Sequence, residues 1–198
     1  AQRALIKAGV PRSTFVKPPI RRWKPRDLPP VPNPTTRINV RHLRYHGTAM
    51  GPAILEMPPD DMPVREDHVW PCRWVAAAMR SYAWAYDQAT ALIKQHDLST
   101  VVVYNGRFTH DRAVAAAAHA LGVRVLYYDT GGYDTDFDLT EATTHDWSHL
   151  QVRMREMYED WDTKERDDLG GSWFESRRAH TDANNQRYTG IQEQGRVE

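Results

Sequence analysis

Two short apolar runs rich in β-branched residues lie near the middle of the chain, at 100–104 and 123–128. Such runs are typical of strands that are buried on both faces of a parallel sheet. The alanine-rich stretch 111–121 between them is predicted to be a helix, which Thr109 caps and Gly122 ends. A strand, a helix and a strand within about 30 residues predict a βαβ crossover, and therefore parallel strands in a doubly wound sheet.

Helical periodicity dominates the rest of the chain. Apolar residues recur at helical spacing over 67–96, which predicts one long helix or two abutting helices. Two further helices are predicted over 146–161 and from 169 to about 179. Weak alternation over 38–45 indicates a strand, whereas 52–63 is predicted to be irregular. Together with the crossover, these elements predict an α/β fold with a Rossmann-like parallel sheet and flanking helices.

The first quarter of the chain is rich in proline and positively charged. Seven prolines lie between residues 18 and 34, so regular strand pairing is prevented and 17–36 is predicted to be an extended loop. Residues 1–47 carry 11 Lys and Arg against one acid, although the whole chain has 26 basic and 26 acidic residues. The overall neutrality argues against nucleic acid as a partner.

The chain is predicted to be cytoplasmic and to lack a transmembrane segment. No run approaches the roughly 18 apolar residues of a membrane span, and peripheral membrane contact is left open. Cys72 is the only cysteine, so it has no internal disulfide partner, and it is expected to be buried in a protein of a reducing compartment. Residues 1–181 are predicted to form one domain, and 182–198 a polar linker.

The loop that follows the first predicted strand carries groups suited to binding. Ligands of open α/β sheets bind beyond the carboxyl ends of the strands, where helix N-termini and loop amides converge. Gly106 permits a tight turn, and Asn105 offers both a donor and an acceptor. Arg107 and Arg112 are expected either to clamp an anion or to form salt bridges with a neighbouring acid. These four residues are the predicted substrate-binding residues of this loop.

A second loop, after the second predicted strand, begins with a carboxylate beside glycines. Asp129 suits a general base or a hydroxyl-binding group, because Gly131 and Gly132 allow a ligand to approach the backbone closely. Its other interpretation is a turn or capping aspartate. His145 precedes a helix and is a candidate proton carrier or phosphate ligand, whereas Asp146 is first of all an N-cap.

Alternate acids at Asp134, Asp136 and Asp138 suggest a site for a hard cation. The spacing does not fit a calcium loop, since Leu139 stands where glycine is needed and His145 where glutamate is needed. The sequence therefore predicts no metal, and added divalent ions are not expected to stabilise the chain. The sequence signatures of metalloproteases, hydrolases, P-loop NTPases and dinucleotide-binding folds do not occur either.

Three segments, 103–114, 121–132 and 144–146, resemble bacterial capsular or surface-polysaccharide biosynthesis proteins of the GT-B glycosyltransferase type. In those proteins an Asn-Gly-Arg loop leads into a helix, the next strand ends in an acid followed by glycine, and a His-Asp pair opens a later helix. Segments 172–178 and 192–195 are similar to that family's lead-in to its second domain. The family tends to have Glu-Arg-Gly where this chain has Asp129-Thr130-Gly131.

The resemblance implies the acceptor-side, amino-terminal half of a GT-B enzyme that transfers a sugar from a nucleotide sugar to a glycan or lipid-linked acceptor. Asp129 or His145 would be the base, Arg107 and Arg112 would hold anionic groups, and no cofactor is implied. A second Rossmann-like domain would bind the nucleotide sugar. The alternative is a non-catalytic assembly module whose basic segment 17–47 docks a partner or an acidic glycan.

Overall fold

The computed structural model describes Lys7 and residues 23–56, 65–130, 137–143 and 146–178, which contain both helices and strands. In chain order they are α1 (Arg37–Arg41), β1 (Arg44–Tyr45), β2 (Thr48–Ala49), α2 (Met50–Leu55), α3 (Cys72–His96), β3 (Thr100–Tyr104), α4 (Thr109–Ala120), β4 (Arg124–Thr130), β5 (Phe137–Thr140), α5 (Trp147–Asp160) and α6 (Thr163–Arg178).

The chain divides into two compact units, Ala1–Leu126 and Tyr127–Glu198, and the division falls inside β4. The single domain expected over 1–181 stays a prediction. The linker expected over 182–198 lies outside the described residues.

The predicted strand, helix and strand are confirmed as β3, α4 and β4 in a mixed three-stranded sheet of order β3-β4-β5. β4 pairs antiparallel with β5, so that Tyr127 lies opposite Thr140. Gly122 ends α4 as predicted, with a left-handed φ of 69°. The expected burial of both strand faces is wrong for β3, because Val103 is 5% exposed and Val102 is 55% exposed. Burial in β3 therefore alternates, with one face covered.

The core of the first unit is organised by α3, which is one continuous helix of 25 residues. It starts after Pro71 and ends at His96. The C-cap Asp97 is left-handed, which lets the Leu98 amide donate to the Ile93 carbonyl at 3.1 Å. Its buried face carries Val75, Met79, Tyr82, Ala83, Tyr86, Ala89 and Ile93. This i, i+3, i+4 spacing is the apolar stripe that the sequence predicted.

α3 and α4 pack side by side and run in the same direction. Ser81 Oγ lies 2.7 Å from His110 Nε2 near the start of α4. Ala91 lines the same cleft as Ala120, at the other end of α4. The carboxyl ends of the two helices therefore lie next to each other.

The strand expected over 38–45 is wrong in its first half. Thr36 caps α1 by accepting a hydrogen bond from the Asn39 amide at 3.3 Å, so the chain turns helical before β1 begins. The irregular structure expected from residue 52 is wrong up to residue 55, because Pro52 lies in the first turn of α2, where its missing N–H has no cost. Residues 57–63 of that prediction lie outside the described residues.

Of the loop expected over 17–36, residues 23–36 lack helix and strand as predicted, and their only pairing is an isolated bridge between Thr36 and Val69. Residues 17–22 lie outside the described part. The expected burial of Cys72 is wrong, because this residue opens α3 on its outer side and is exposed.

The second unit contains two helices with little burial. Asp146 caps α5 as predicted, since its side chain accepts from the Ser148 and His149 amides. α6 begins at Thr163, six residues before its expected start, because the Asp162 side chain accepts hydrogen bonds from the amides at 164 and 165. Gly170 and Gly171 do not interrupt the helix. Among the described helices, none is long and apolar enough to cross a membrane.

Candidate functional site

The loop between β3 and α4 turns the backbone sharply at the carboxyl end of β3. Asn105 has a φ of 55° and Gly106 a φ of 72°, so two consecutive residues are left-handed. Glycine adopts this conformation without strain, and asparagine is one of the few other residues that tolerate it. The turn brings the start of α4 to the edge of the sheet where α/β proteins bind ligands.

The two arginines of this loop share one carboxylate. Arg107 Nε lies 3.7 Å from Glu56 Oε2, and Arg112 Nη2 lies 3.4 Å from Glu56 Oε1. Arg112 Nε also donates to the Gly106 carbonyl at 3.2 Å. Of the two interpretations of these arginines, the structure shows the salt bridge. One positive charge remains in excess, and since all three side chains are 32–50% exposed, an incoming anion reaches them.

The predicted capping role of Thr109 is wrong. Phe108 is the N-cap of α4 and makes no side-chain capping bond, while Thr109 is already helical. The Thr109 hydroxyl donates instead to the Ala53 carbonyl at 3.0 Å. This buried bond ties the start of α4 to α2 and so fixes the position of the loop that precedes it.

The second predicted loop is partly a strand. β4 continues through Thr130, so Asp129 lies in register opposite Asp138 of β5 and not beyond the strand end. Gly131, Gly132 and His145 lie outside the described residues. The catalytic role of Asp129 or His145 therefore stays a prediction, as does the binding role of the two glycines.

The acids proposed as a metal site are only partly described. Asp138 forms an ion pair with Arg153, with Oδ1 3.2 Å from Nη2, so a cationic side chain already compensates its charge. Asp134 and Asp136 lie outside the described residues. In the described ranges no three His, Cys, Asp or Glu side chains come together in an arrangement that could hold a metal ion.

Sequence reasoning missed a cleft of about 1080 Å³ in the first unit, at the end of α4 opposite the β3–α4 loop. We call it the Asp87 cleft. Its walls come from the proline-rich segment, the β1–β2 turn and the ends of α3 and α4. They include Trp23, Lys24, Arg26, His46, Asp87 and Lys94.

Asp87 connects the walls of this cleft by hydrogen bonds. Its Oδ2 accepts from Trp23 Nε1 at 2.7 Å and from the Tyr45 hydroxyl at 3.0 Å. His46 Nε2 lies 3.9 Å from Asp87 Oδ1. One carboxylate on α3 therefore holds both the proline-rich segment and the β1–β2 hairpin.

Three rings pack together beside Asp87. The ring of His46 stacks on that of Tyr86, with centroids 5.6 Å apart and an interplanar angle of 27°, and Tyr45 contacts both rings edge-on. His46 and Gly47 form a two-residue hairpin turn with φ values of 46° and 79°. The turn therefore holds the His46 imidazole against the cleft wall in a conformation that non-glycine residues seldom adopt.

Burial raises the pKa of the Tyr45, Tyr82 and Tyr86 hydroxyls above the ordinary value, and Asp87 adds to this for Tyr45 and Tyr86. Because their pKa is raised, these hydroxyls stay protonated in the folded state at pH values at which they ionise in the unfolded state. Their contribution to stability is thus complete below about pH 10 and is lost as the pH rises above it. We expect tyrosinate absorbance to show these three of the nine tyrosines ionising at higher pH than exposed tyrosines. Smooth ionisation of all nine before any loss of circular dichroism would contradict this.

One sequence signal pointed to the Asp87 cleft. Asp87 is the only acid in α3, and it follows Tyr86 on the buried stripe. An acid beside an apolar stripe needs a partner when it is half buried. Its partners Tyr45 and Trp23 lie 42 and 64 residues away in sequence, so no local pattern could identify them.

Comparison of the chain with protein-family models, with curated proteins and with solved structures gave no match.

Proposed function

We propose that this chain is the acceptor-side half of a cytoplasmic glycosyltransferase of surface-polysaccharide biosynthesis. An acceptor hydroxyl attacks the anomeric carbon of the donor sugar, the nucleotide leaves with the bonding electrons, and a base takes the hydroxyl proton. Asp129 or His145 is the proposed base, and the nucleotide sugar is bound mainly by a second domain of GT-B type.

The observation that carries this proposal is the geometry of the β3–α4 loop. Asn105 and Gly106 turn the chain at a strand end, and Arg107 and Arg112 leave one positive charge in excess over Glu56. A loop of this kind offers an anionic acceptor guanidinium donors and the N-terminal amides of a helix. The Asn-Gly-Arg sequence is also part of the resemblance to the capsular family.

Transfer of labelled sugar from a panel of nucleotide sugars to an acidic glycan tests the proposal, with the chain inside its natural polypeptide. We expect Arg107→Gln to lower kcat/KM about fivefold, because an exposed ion pair with the acceptor is lost. Glu56→Gln is expected to act in the opposite direction, since it releases both arginines from their carboxylate. Both residues are exposed at the surface, so neither change is expected to unfold the protein.

Arg80→Gln is the matched control, because Arg80 is an exposed arginine of α3 without a place in the loop. It should leave kcat/KM unchanged. Absence of transfer with every donor, or equal effects of Arg80→Gln and Arg107→Gln, would contradict the proposed role of the loop.

A further inference from the structure

The Asp87 cleft is lined by charged side chains that have no role in the proposed transferase reaction. Three exposed cations, Lys24, Arg26 and Lys94, line it, and none of them forms an ion pair with a described acid. The carboxylates that line it are Asp27 and Asp87, and Asp87 already accepts two hydrogen bonds. The described walls therefore carry an excess of positive charge.

We propose that the Asp87 cleft binds an oligosaccharide that carries carboxylate groups, such as a chain of uronic acids. The residues of this cleft lie at the opposite end of α4 from the β3–α4 loop, so binding there does not depend on the proposed transferase activity.

The carboxyl ends of α3 and α4 lie at the cleft and limit how much negative charge a bound ligand can carry. Lys94 lies in the last turn of α3, and Ala120 is the last residue of α4. Helix carboxyl ends carry partial negative charge, which opposes a di- or triphosphate and limits the favourable effect of the three cations. Single carboxylates spaced along a sugar chain suit this balance better than the concentrated charge of a nucleotide, because each meets one flexible cation.

The same walls also suit sugar rings. The His46 side chain is 41% exposed and stacks on Tyr86, which gives an aromatic face at the cleft wall. The Thr90 hydroxyl oxygen is buried in the wall and has no hydrogen-bond partner among the described residues. A ligand hydroxyl would satisfy this group after a small shift of the side chain. The Asp27 carboxylate is a further acceptor for sugar hydroxyls.

The volume of the cleft agrees with an extended ligand. Pockets for compact small molecules measure about 300–1,000 Å³. The Asp87 cleft, at about 1080 Å³, exceeds that range and is therefore large enough for several sugar units.

Titration of the isotope-labelled chain with short polygalacturonic-acid oligomers tests the proposal by nuclear magnetic resonance. The probe is the indole N–H signal of Trp23, which donates to Asp87 in the cleft and is assigned with Trp23→Phe. We expect this signal to shift on titration at low salt, and the fully methyl-esterified oligomer to bind about fivefold more weakly. Lys94→Gln should weaken binding of the acid by a similar factor, whereas Arg80→Gln, earlier on the same helix, should not.

The outcomes separate the alternatives. Equal binding of acid and ester, equal effects of Lys94→Gln and Arg80→Gln, or no shift of the Trp23 signal would overturn the proposal. Tighter binding of UDP than of the acidic oligomer would overturn it as well, since the cleft would then prefer a diphosphate. Arg107→Gln is expected to leave this titration unchanged, so the result is distinguishable from success or failure of the transferase proposal.

Discussion

Replacing Gly51 with alanine is expected to destabilise the protein by about 3 kcal/mol, because the added methyl group has no space. A Cβ at this position would overlap the Val40 carbonyl oxygen and would lie 2.6 Å from the Arg41 carbonyl oxygen. Both are backbone atoms, so the clash is relieved only if α1 and α2 move apart. The Gly51 amide also donates to the Leu43 carbonyl at 3.0 Å, and this bond would be lost in the same movement.

Urea unfolding followed by circular dichroism measures this effect, and Gly170→Ala provides the matched control. No heavy atom lies within 4 Å of a Cβ built at Gly170, which is inside α6. Alanine there should be neutral or should stabilise by up to about 1 kcal/mol through helix propensity. A Gly51→Ala protein as stable as the unmodified chain would show that α1 and α2 do not pack as closely as described.

Asp87→Ala is expected to cost about 2–3 kcal/mol, because it leaves two donors without an acceptor. The Tyr45 hydroxyl belongs to a residue that is 1% exposed, and the Trp23 indole N–H is partly buried. Loss of the carboxylate would also release the proline-rich segment from α3, so we expect faster hydrogen exchange and proteolysis near Trp23.

Asp87→Asn separates hydrogen bonding from charge, since the amide retains one oxygen acceptor. Its cost in the same urea experiment is expected to be clearly smaller than that of Asp87→Ala. If Asp87→Ala changes the free energy of unfolding by less than about 0.5 kcal/mol, the carboxylate does not organise this part of the molecule.

Local signals predicted β3, α3, α4, β4 and α5, whereas α1, α2, β2 and β5 were not predicted. The β-branched run at 100–104 forms β3 with the predicted bounds. The apolar residues at helical spacing over 67–96 lie on one continuous helix, α3. At the start of α4, a contact distant in sequence decided the structure. Thr109 resembles an N-cap, yet its hydroxyl bonds to the Ala53 carbonyl 56 residues away, which no local pattern indicates.

The candidate site could be predicted in part. Gly106 marked the turn after β3, and Arg107 and Arg112 had two interpretations because their partner Glu56 is about 50 residues distant in sequence. The Asp87 cleft was not predicted, because its walls come from segments that are distant in sequence. The polar and apolar pattern of one segment gives no information about another. A sequence pattern indicates which face of an element is buried but not which remote residue covers it.

The most direct test of the proposed function is calorimetric titration of the chain with donors and acceptors in parallel. If the chain is the acceptor-side half, acidic oligosaccharides or polyprenyl-phosphate-like lipids should bind weakly, with Kd near or above about 1 mM and with affinity falling as salt rises. Nucleotide sugars should show little heat of binding. Tight binding of a UDP-, GDP- or CMP-sugar, with Kd of about 1 μM or below, would place the donor site in this chain and contradict the account.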